Sequence, residues 1–276
     1  MIKKWVAVAG VATVLSLTGC GSSADSSAKN NQFGLETPGT IQAAVSTDQP
    51  PFATAAKDGT PQGYIVDITN EVAKRLGLKV NYKATTVPAA LQGLTSGQYD
   101  LAASGLGVTP EREKSVAFTK ALYWSTTAVV TGTSTTATQL TEFKGKKVAV
   151  VTGAVQVSFV ETKMTGAQKV QFPNQNAAVS QLLSGNVDAF VVGGPDAEAY
   201  LKQYNKLKIA VSAPVDHPTA MAVQKKNTSF QQAVNDQLTA MVNDGTFLRL
   251  YRKWFTEPPL ADLVAAWPSL KNPLGS

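Results

Sequence analysis

One phrase occurs twice in this chain. Ser96-Gly-Gln-Tyr-Asp-Leu-Ala-Ala-Ser-Gly-Leu-Gly-Val108 returns 88 positions later as Ser184-Gly-Asn-Val-Asp-Ala-Phe-Val-Val-Gly-Gly-Pro-Asp196. Each copy has Ser-Gly, two residues, Asp, a short apolar run and glycine. A helical pattern precedes each, "VPAALQGL" before the first and "NAAVSQLL" before the second. Each copy therefore reads as a helix that stops at Ser-Gly, followed by a buried strand that opens on Asp and ends on glycine.

The rest of the chain fits that unit. "TIQAAVS", "KVNYKAT" and "KKVAVVTG" read as strands. "GYIVDITNEVAKRLGL" places Ile65, Ile68, Val72 and Leu76 on one helical face and stops at Gly77, and "AVQVSFVETKM" and "DAEAYLKQY" also read as helices. Asp196 is expected to cap the last of these, and Ser229 with Gln232 to form a capping box for the helix that ends at Asp244-Gly245. A final amphipathic segment carries Phe247, Leu250, Tyr251 and Trp254. Strands alternating with helices predict mostly parallel sheets covered on both faces. Two copies of one unit predict two α/β lobes, with the terminal glycines lining a cleft between them, since ligands of open α/β sheets sit at the carboxyl ends of strands. One continuous sheet with a chance echo is the competing arrangement.

The N-terminus reads as a processing segment. Lys3 and Lys4 precede the apolar run Trp5 to Leu17, which is short for a membrane span. It ends in Leu17-Thr18-Gly19-Cys20, which resembles the bacterial lipobox, so residues 1–19 read as a lipoprotein signal peptide and Cys20 as the lipidated N-terminus. Residues 20–38 are small and polar and read as a tether. Cys20 is the only cysteine, which excludes an intramolecular disulfide and a cysteine-based metal site. Without Lys3 and Lys4 the formal charge falls from +6 to +4, spread along the chain. Nucleic-acid binding is a poor fit to that distribution.

Five segments come in one order: "GYIVDITNEVAKRLGL", "LTSGQYDLAASGLGVTPEREKSVAFTKALYW", "FKGKKVAVVTGAVQ", "SGNVDAFVVGG" and "VNDGTFLRLYRKWF". Over roughly residues 40–256 the chain resembles the extracellular solute-binding proteins that serve ABC importers of polar amino acids, with "VTPER" and "DGTFLRLYRKWF" as the specific motifs. The resemblance implies a bilobed α/β periplasmic-binding-protein-like fold of type II, with two hinge segments near residues 123–130 and 219–225. Lobe 1 would comprise residues 39–125 and 222–276, and lobe 2 residues 126–221. It implies a monomer held outside the cell membrane by lipid on Cys20, an ABC permease as partner, no cofactor and no enzymatic activity.

The resemblance also implies a site. Arg112 stands at the arginine that holds the ligand carboxylate, a role suited to its bidentate, permanently charged fork; a salt bridge to Glu111 or Glu113 is the plainer alternative. Gly107 stands where the family usually has Thr or Ser. Val155 and Gln156, after the Gly153 turn, would offer amides and a helix N-terminus to the same carboxylate. Ser104 and Gly105 would accept from an α-ammonium. The family's main ammonium partner is an aspartate five residues after the Asp of the second copy, and here that position is Gly193. The side-chain pocket would use Ser46, Gln49 and Val87, where the family often has an acid and large or aromatic residues, so stacking for basic or aromatic amino acids is reduced.

These departures shift the expected ligand toward a modified amino acid or another small carboxylate, and predict weak binding of arginine, lysine and histidine. Asp48, Asp196 and Glu161 lie near enough in sequence to supply the missing charge, though each reads more readily as structural. Phe52, Tyr64 and Trp124 are candidate aromatic walls or core. His217, the only histidine, falls in "VDHP" and reads as loop. Two other functions remain open: a dehydratase resembling cyclohexadienyl dehydratase on the same scaffold, and a sensor domain for a signalling receptor.

Overall fold

The computed structural model describes residues 31–270. The signal peptide, Cys20 and the first part of the expected tether lie outside that range. Lobe 1 starts with β1 (Thr40–Val45), the short strands β2 (Asp48–Gln49), β3 (Ala53–Ala55) and β4 (Pro61–Gln62), α1 (Tyr64–Leu76), β5 (Lys79–Ala84), α2 (Val87–Ser96) and β6 (Leu101–Gly107). After α3 (Pro110–Glu113) and β7 (Val116–Phe118), the chain leaves along β8 (Tyr123–Gly132). Lobe 2 then repeats the βαβαβ run as β9 (Lys147–Val151), α4 (Gln156–Lys163), β10 (Gln168–Phe172), α5 (Gln175–Leu183) and β11 (Ala189–Gly193), followed by α6 (Gly194–Gln203). The long strand β12 (Leu207–Gln224) returns to lobe 1, where α7 (Thr228–Asn243), α8 (Thr246–Trp254) and α9 (Ala261–Ala266) finish it.

The strand order is β10-β9-β11-β8-β12-β6-β1-β5, with β7 also paired to β12. Each lobe holds a parallel trio with its first strand in the middle: β5-β1-β6 and β10-β9-β11. The trios are joined through β8 and β12, which run antiparallel to each other and to β11 and β6. Both arrangements considered from the sequence are thus partly present, as two repeated lobes on one hydrogen-bonded path. The first crossing lies between Tyr123, opposite Thr219, and Thr127, opposite Gly193. The second lies at residues 214–218, where the β8–β12 register shifts. It precedes the expected 219–225, because Thr219 and Ala220 already pair with Gly107 and Leu106 of β6.

The repeated phrase does one local job twice. Gly97 and Gly185, both in the left-handed region, follow α2 and α5, and Thr86 and Asn174 cap the starts of those helices. The Asp of each copy then clips its strand to the first strand of the trio. Asp100 Oδ2 accepts from Gln42 N at 2.7 Å and Oδ1 from Glu36 N at 2.8 Å. Asp188 Oδ2 accepts from Lys147 N at 2.8 Å.

Lobe 1 has the larger core. Phe52, Tyr64, Tyr123, Phe247, Tyr251 and Phe255 form one aromatic cluster under α1, α7 and α8. Each such side chain is worth about 1.5–3 kcal/mol when fully buried. Lobe 2 is packed by smaller, mainly aliphatic clusters that include Phe143, Phe190 and Tyr200.

Three local expectations change. Residues 31–38 are fastened to lobe 1 rather than tethering it: Leu35 is buried, and Asn227 Nδ2 donates to Phe33 O and Gly34 O. The cap of α7 is Asn227, whose Oδ1 accepts from Phe230 N, while Gln232 reaches Asp236 instead. Gly193 precedes α6, and Asp196 lies inside the helix with no side-chain capping bond.

Candidate functional site

The cleft opens where β6 and β11 end. Gly105, Leu106 and Gly107 line it from lobe 1, and Val191, Val192 and Gly193 from lobe 2, around a cavity of about 80 Å³. The glycines of both phrases therefore face the same space.

Arg112 occupies one end. The Thr109 hydroxyl caps the short helix α3 by accepting from Arg112 N, which fixes the backbone from which the side chain reaches inward. Nη1 donates to Gly107 O at 2.7 Å, and Nη2 donates across the cleft to Gly153 O at 2.9 Å. Burial pushes its pKa down to about 10, because desolvation disfavours the charged form. It remains charged at neutral pH. Among the described residues no carboxylate makes an ion pair with it; Glu111 pairs with Lys114 instead. The guanidinium still has donors to offer an anion.

Facing it is the turn that leads into α4. Gly153 has φ 75°, in the left-handed region where glycine carries no Cβ penalty, and a Cβ there would also meet Pro88 of lobe 1 at 2.8 Å. The backbone N–H groups of Val155 and Gln156 have no acceptor among the described backbone bonds, as expected of a helix start. Gly107 lies beside both lobes: a Cβ on it would be 2.8 Å from His217 Nε2 and 3.1 Å from Val155 Cγ1. His217 belongs to β12 and lines the cleft, and its Nδ1 is 3.0 Å from Asp216 Oδ1. The loop expected at "VDHP" is a strand because the chain is crossing between lobes there.

The other end is acidic and built from both lobes. Ser46 Oγ donates to Asp48 Oδ1 at 2.9 Å, and Gln175 N donates across the cleft to Asp48 Oδ2. Gln175 Nε2 donates to Asp196 Oδ1 at 3.1 Å, and the Tyr200 hydroxyl reaches Gln175 Oε1 at 3.1 Å. Asp196 is 5% exposed. Burial raises its carboxyl to about 7, with nearby Asp48 adding to the rise.

Of the residues expected from the sequence, Arg112, Gly105, Gly107, Val155, Gln156, Gly193, Ser46, Gln49 and Val87 all line this cavity. Ser104 does not: it is wholly buried and its hydroxyl accepts from Ser46 N at 2.8 Å, holding β1 to β6. Phe52 forms a wall, whereas Tyr64 is a core residue bonded to Leu122 O. Trp124 bonds to Val215 O and packs against the lobe 1 core. Glu161 is on the surface, paired with Lys169. Gln175 was not visible as a cleft residue in the sequence; a polar residue opening a helix carries no signal of which lobe it will face. Among the described residues no cluster of His, Cys, Asp or Glu is suited to a metal ion, and no helix is long and apolar enough to cross a membrane.

Two βαβαβ lobes joined by paired crossing strands, with a polar cleft between their strand ends, define a bilobed binding protein of the periplasmic type. The model of the bacterial extracellular solute-binding proteins, family 3, matches residues 41–257, and the chain belongs to that family. It is 28% identical over 229 residues to the lysine/arginine/ornithine-binding periplasmic protein of Escherichia coli (strain K12), covering 79% of this chain and 88% of that one. A solved ancestral arginine-binding protein bound to glutamine superposes with TM-score 0.77 at 32% identity, covering 80% of this chain and all of the other. An ancestral amino-acid-binding protein, a precursor of cyclohexadienyl dehydratase, gives TM-score 0.72 at 28% identity, over 79% and 96% of the two chains.

Proposed function

We propose that this protein is the lipid-anchored receptor of an ABC importer and captures a small carboxylate-bearing ligand, an amino acid or amino-acid derivative, between its lobes. The observation that carries the reading is Arg112: a half-buried guanidinium lining the cleft, with backbone carbonyls but, among the described residues, no carboxylate as partners. A ligand carboxylate would take the free donors of Arg112 and the N–H groups of Val155 and Gln156. Because these groups come from opposite lobes, ligand favours the closed arrangement by bridging them. The permease would then distinguish closed from open. Lipid on Cys20 would keep the receptor at the outer face of the membrane.

Mass spectrometry of the small molecules released on unfolding the purified protein tests this directly. A carboxylic acid that binds again by calorimetry supports it, and a released ligand without a carboxylate rejects it.

A second reading has one observation in its favour. Asp196 is a buried carboxyl near neutrality inside the cleft, the property a general acid needs, and one structural relative is a dehydratase precursor. Conversion of prephenate or arogenate by the purified protein would support that reading, and their unchanged recovery would reject it.

A further inference from the structure

We propose that His217, on the second crossing strand, is a further ligand-contacting residue: its Nε2 donates to the ligand carboxylate beside Arg112, so that capture of the ligand takes up a proton. The proposal rests on the reading of Arg112 as the carboxylate holder. The position of the ring follows from the crossing. Pro218 O accepts from Val108 N at 2.9 Å and Thr219 pairs with Gly107, which ties this part of β12 to the end of β6. The half-buried imidazole then lies over Gly107, where a Cβ would be 2.8 Å from Nε2 and 3.1 Å from Val155 Cγ1. Gly107 O meanwhile accepts from Arg112 Nη1. Guanidinium, imidazole and the turn into α4 thus converge on one residue without a side chain, and any side chain there would displace the ring.

The proton follows from the other ring nitrogen. Nδ1 is 3.0 Å from Asp216 Oδ1, and an ionised carboxylate only accepts, so Nδ1 carries the hydrogen. The exposed Asp216 carboxyl is held below its ordinary value, first of all by this hydrogen bond, and is ionised at neutral pH. In the neutral ring Nε2 therefore turns a lone pair toward the cleft, and it makes no hydrogen bond among the described residues. A lone pair has nothing to offer a carboxylate, whereas the protonated ring carries a hydrogen on both nitrogens. Asp216, on the same strand, favours the charged ring. Arg112 on α3 and Lys163 at the end of α4, whose charge also reaches Asp216, oppose it. A bound carboxylate offsets the charge of Arg112 and tips the balance toward protonation, in a side chain that changes charge near neutrality.

His217 is the only histidine, so in tag-free protein its ring gives the only imidazole signals in a magnetic resonance spectrum. The test follows its two nitrogens through a pH titration, with and without the carboxylic acid recovered from the purified protein, or acetate where none is recovered. Without acid, the neutral ring is expected to carry its hydrogen on Nδ1. With acid bound, the ring should titrate at a pH about one higher, the equivalent of a tenfold coupling. By calorimetry His217→Gln should weaken the same acid about threefold at pH 7 and about tenfold at pH 5.5, and leave it within about twofold at pH 9. The ratio of parent to variant removes Asp196, which titrates at the far end of the cleft in both. Gly107→Ala, which pushes the ring aside, should abolish the pH dependence of that ratio, and circular dichroism confirms that both variants fold. A neutral ring with its hydrogen on Nε2, a titration unmoved by the acid, or a ratio that does not change with pH would overturn the proposal. Arg112→Ala separates it from the carboxylate reading. Loss of binding there, with an unresponsive ring in the parent, overturns the role of His217 alone; retained binding overturns the carboxylate assignment and the proposal with it.

Discussion

At the end of β6 and at the end of β11 a glycine faces the cleft, and the two spaces are filled differently. Above Gly107 lies the imidazole of His217, from a crossing strand 110 residues further along. Above Gly193 lies the carboxylate of Asp196, only three residues on but reached through the first turn of a helix. The first glycine admits a group that bridges the lobes, and the second admits one that belongs to its own lobe. A missing side chain at a strand end therefore does not leave an empty space, because each has an occupant. The two copies of the phrase also differ at their shared aspartate. Asp100 is buried and accepts two backbone N–H groups, whereas Asp188 is exposed and accepts one.

Arg112→Ala is the strongest probe of the asymmetry between the two ends of the cleft. It should lower affinity for the released ligand by about 1,000-fold by calorimetry, the loss expected for a buried charge pair, with little change in thermal stability. Next is the pair of echoed aspartates. Asp100→Ala should destabilise the protein by about 2–3 kcal/mol in urea, and Asp188→Ala by about 1 kcal/mol or less, since only the first leaves buried donors unsatisfied. Equal costs would mean that the two copies bear equal loads.

A pH series sharpens the contrast between Asp196 and the other cleft groups. Asp48 faces it from β2, Tyr200 lies on its own helix and Tyr123 on β8; Tyr123 is itself raised to about 12. In His217→Gln protein, affinity for an amine-bearing ligand should fall about tenfold per unit once the pH drops below about 7, as Asp196 is protonated. The ligand-free protein should show the opposite trend. Its Asp196 carboxyl is raised from the usual 3.8, so the folded state binds that proton more tightly than the unfolded chain. The resulting stabilisation is fully present below about pH 4 and is lost as the pH rises through about 7. Asp196→Asn should remove this component from the pH dependence of unfolding.

Smaller effects should come from the turn and the imidazole. Gly153→Ala should weaken binding about tenfold, because the left-handed backbone and Pro88 both oppose a Cβ there. A larger radius by X-ray scattering in the presence of ligand would locate the fault in closure. His217→Ala is expected to lower affinity by about threefold, in keeping with the loss of one contact. A loss as large as that of Asp196→Asn would make the two glycine-facing groups equivalent and break the comparison.

Much of the scaffold was legible in the chain. The duplicated phrase predicted two α/β lobes with Ser104-Gly105 and Gly193-Gly194 at the strand ends of a shared cleft, and Gly105 and Gly193 line the cavity. It did so because helix stops, strand-opening aspartates and apolar runs act over a few residues. Arg112, Val155 and Gln156 followed from their motif, and the structure places them together. The misreadings share a cause. The Ser104 hydroxyl looked available to a ligand, but strand alternation turns it toward Ser46 N, which leaves only the carbonyl for that role. Asp196 looked like a cap and His217 like loop, and Gln175 carried no signal at all; where each points depends on the facing lobe.

The sequence by itself therefore determined the repeated lobes, which are written in short-range patterns, while the expectation of Arg112 in the cleft came from the family motif. Only the tertiary structure decided the acidic end. Asp48, Gln175 and Asp196 come from three separate elements on two lobes, and they meet only after β8 and β12 have carried the chain across and back. A glycine in a sequence records that a side chain is absent; what occupies its place is settled by packing between segments distant along the chain.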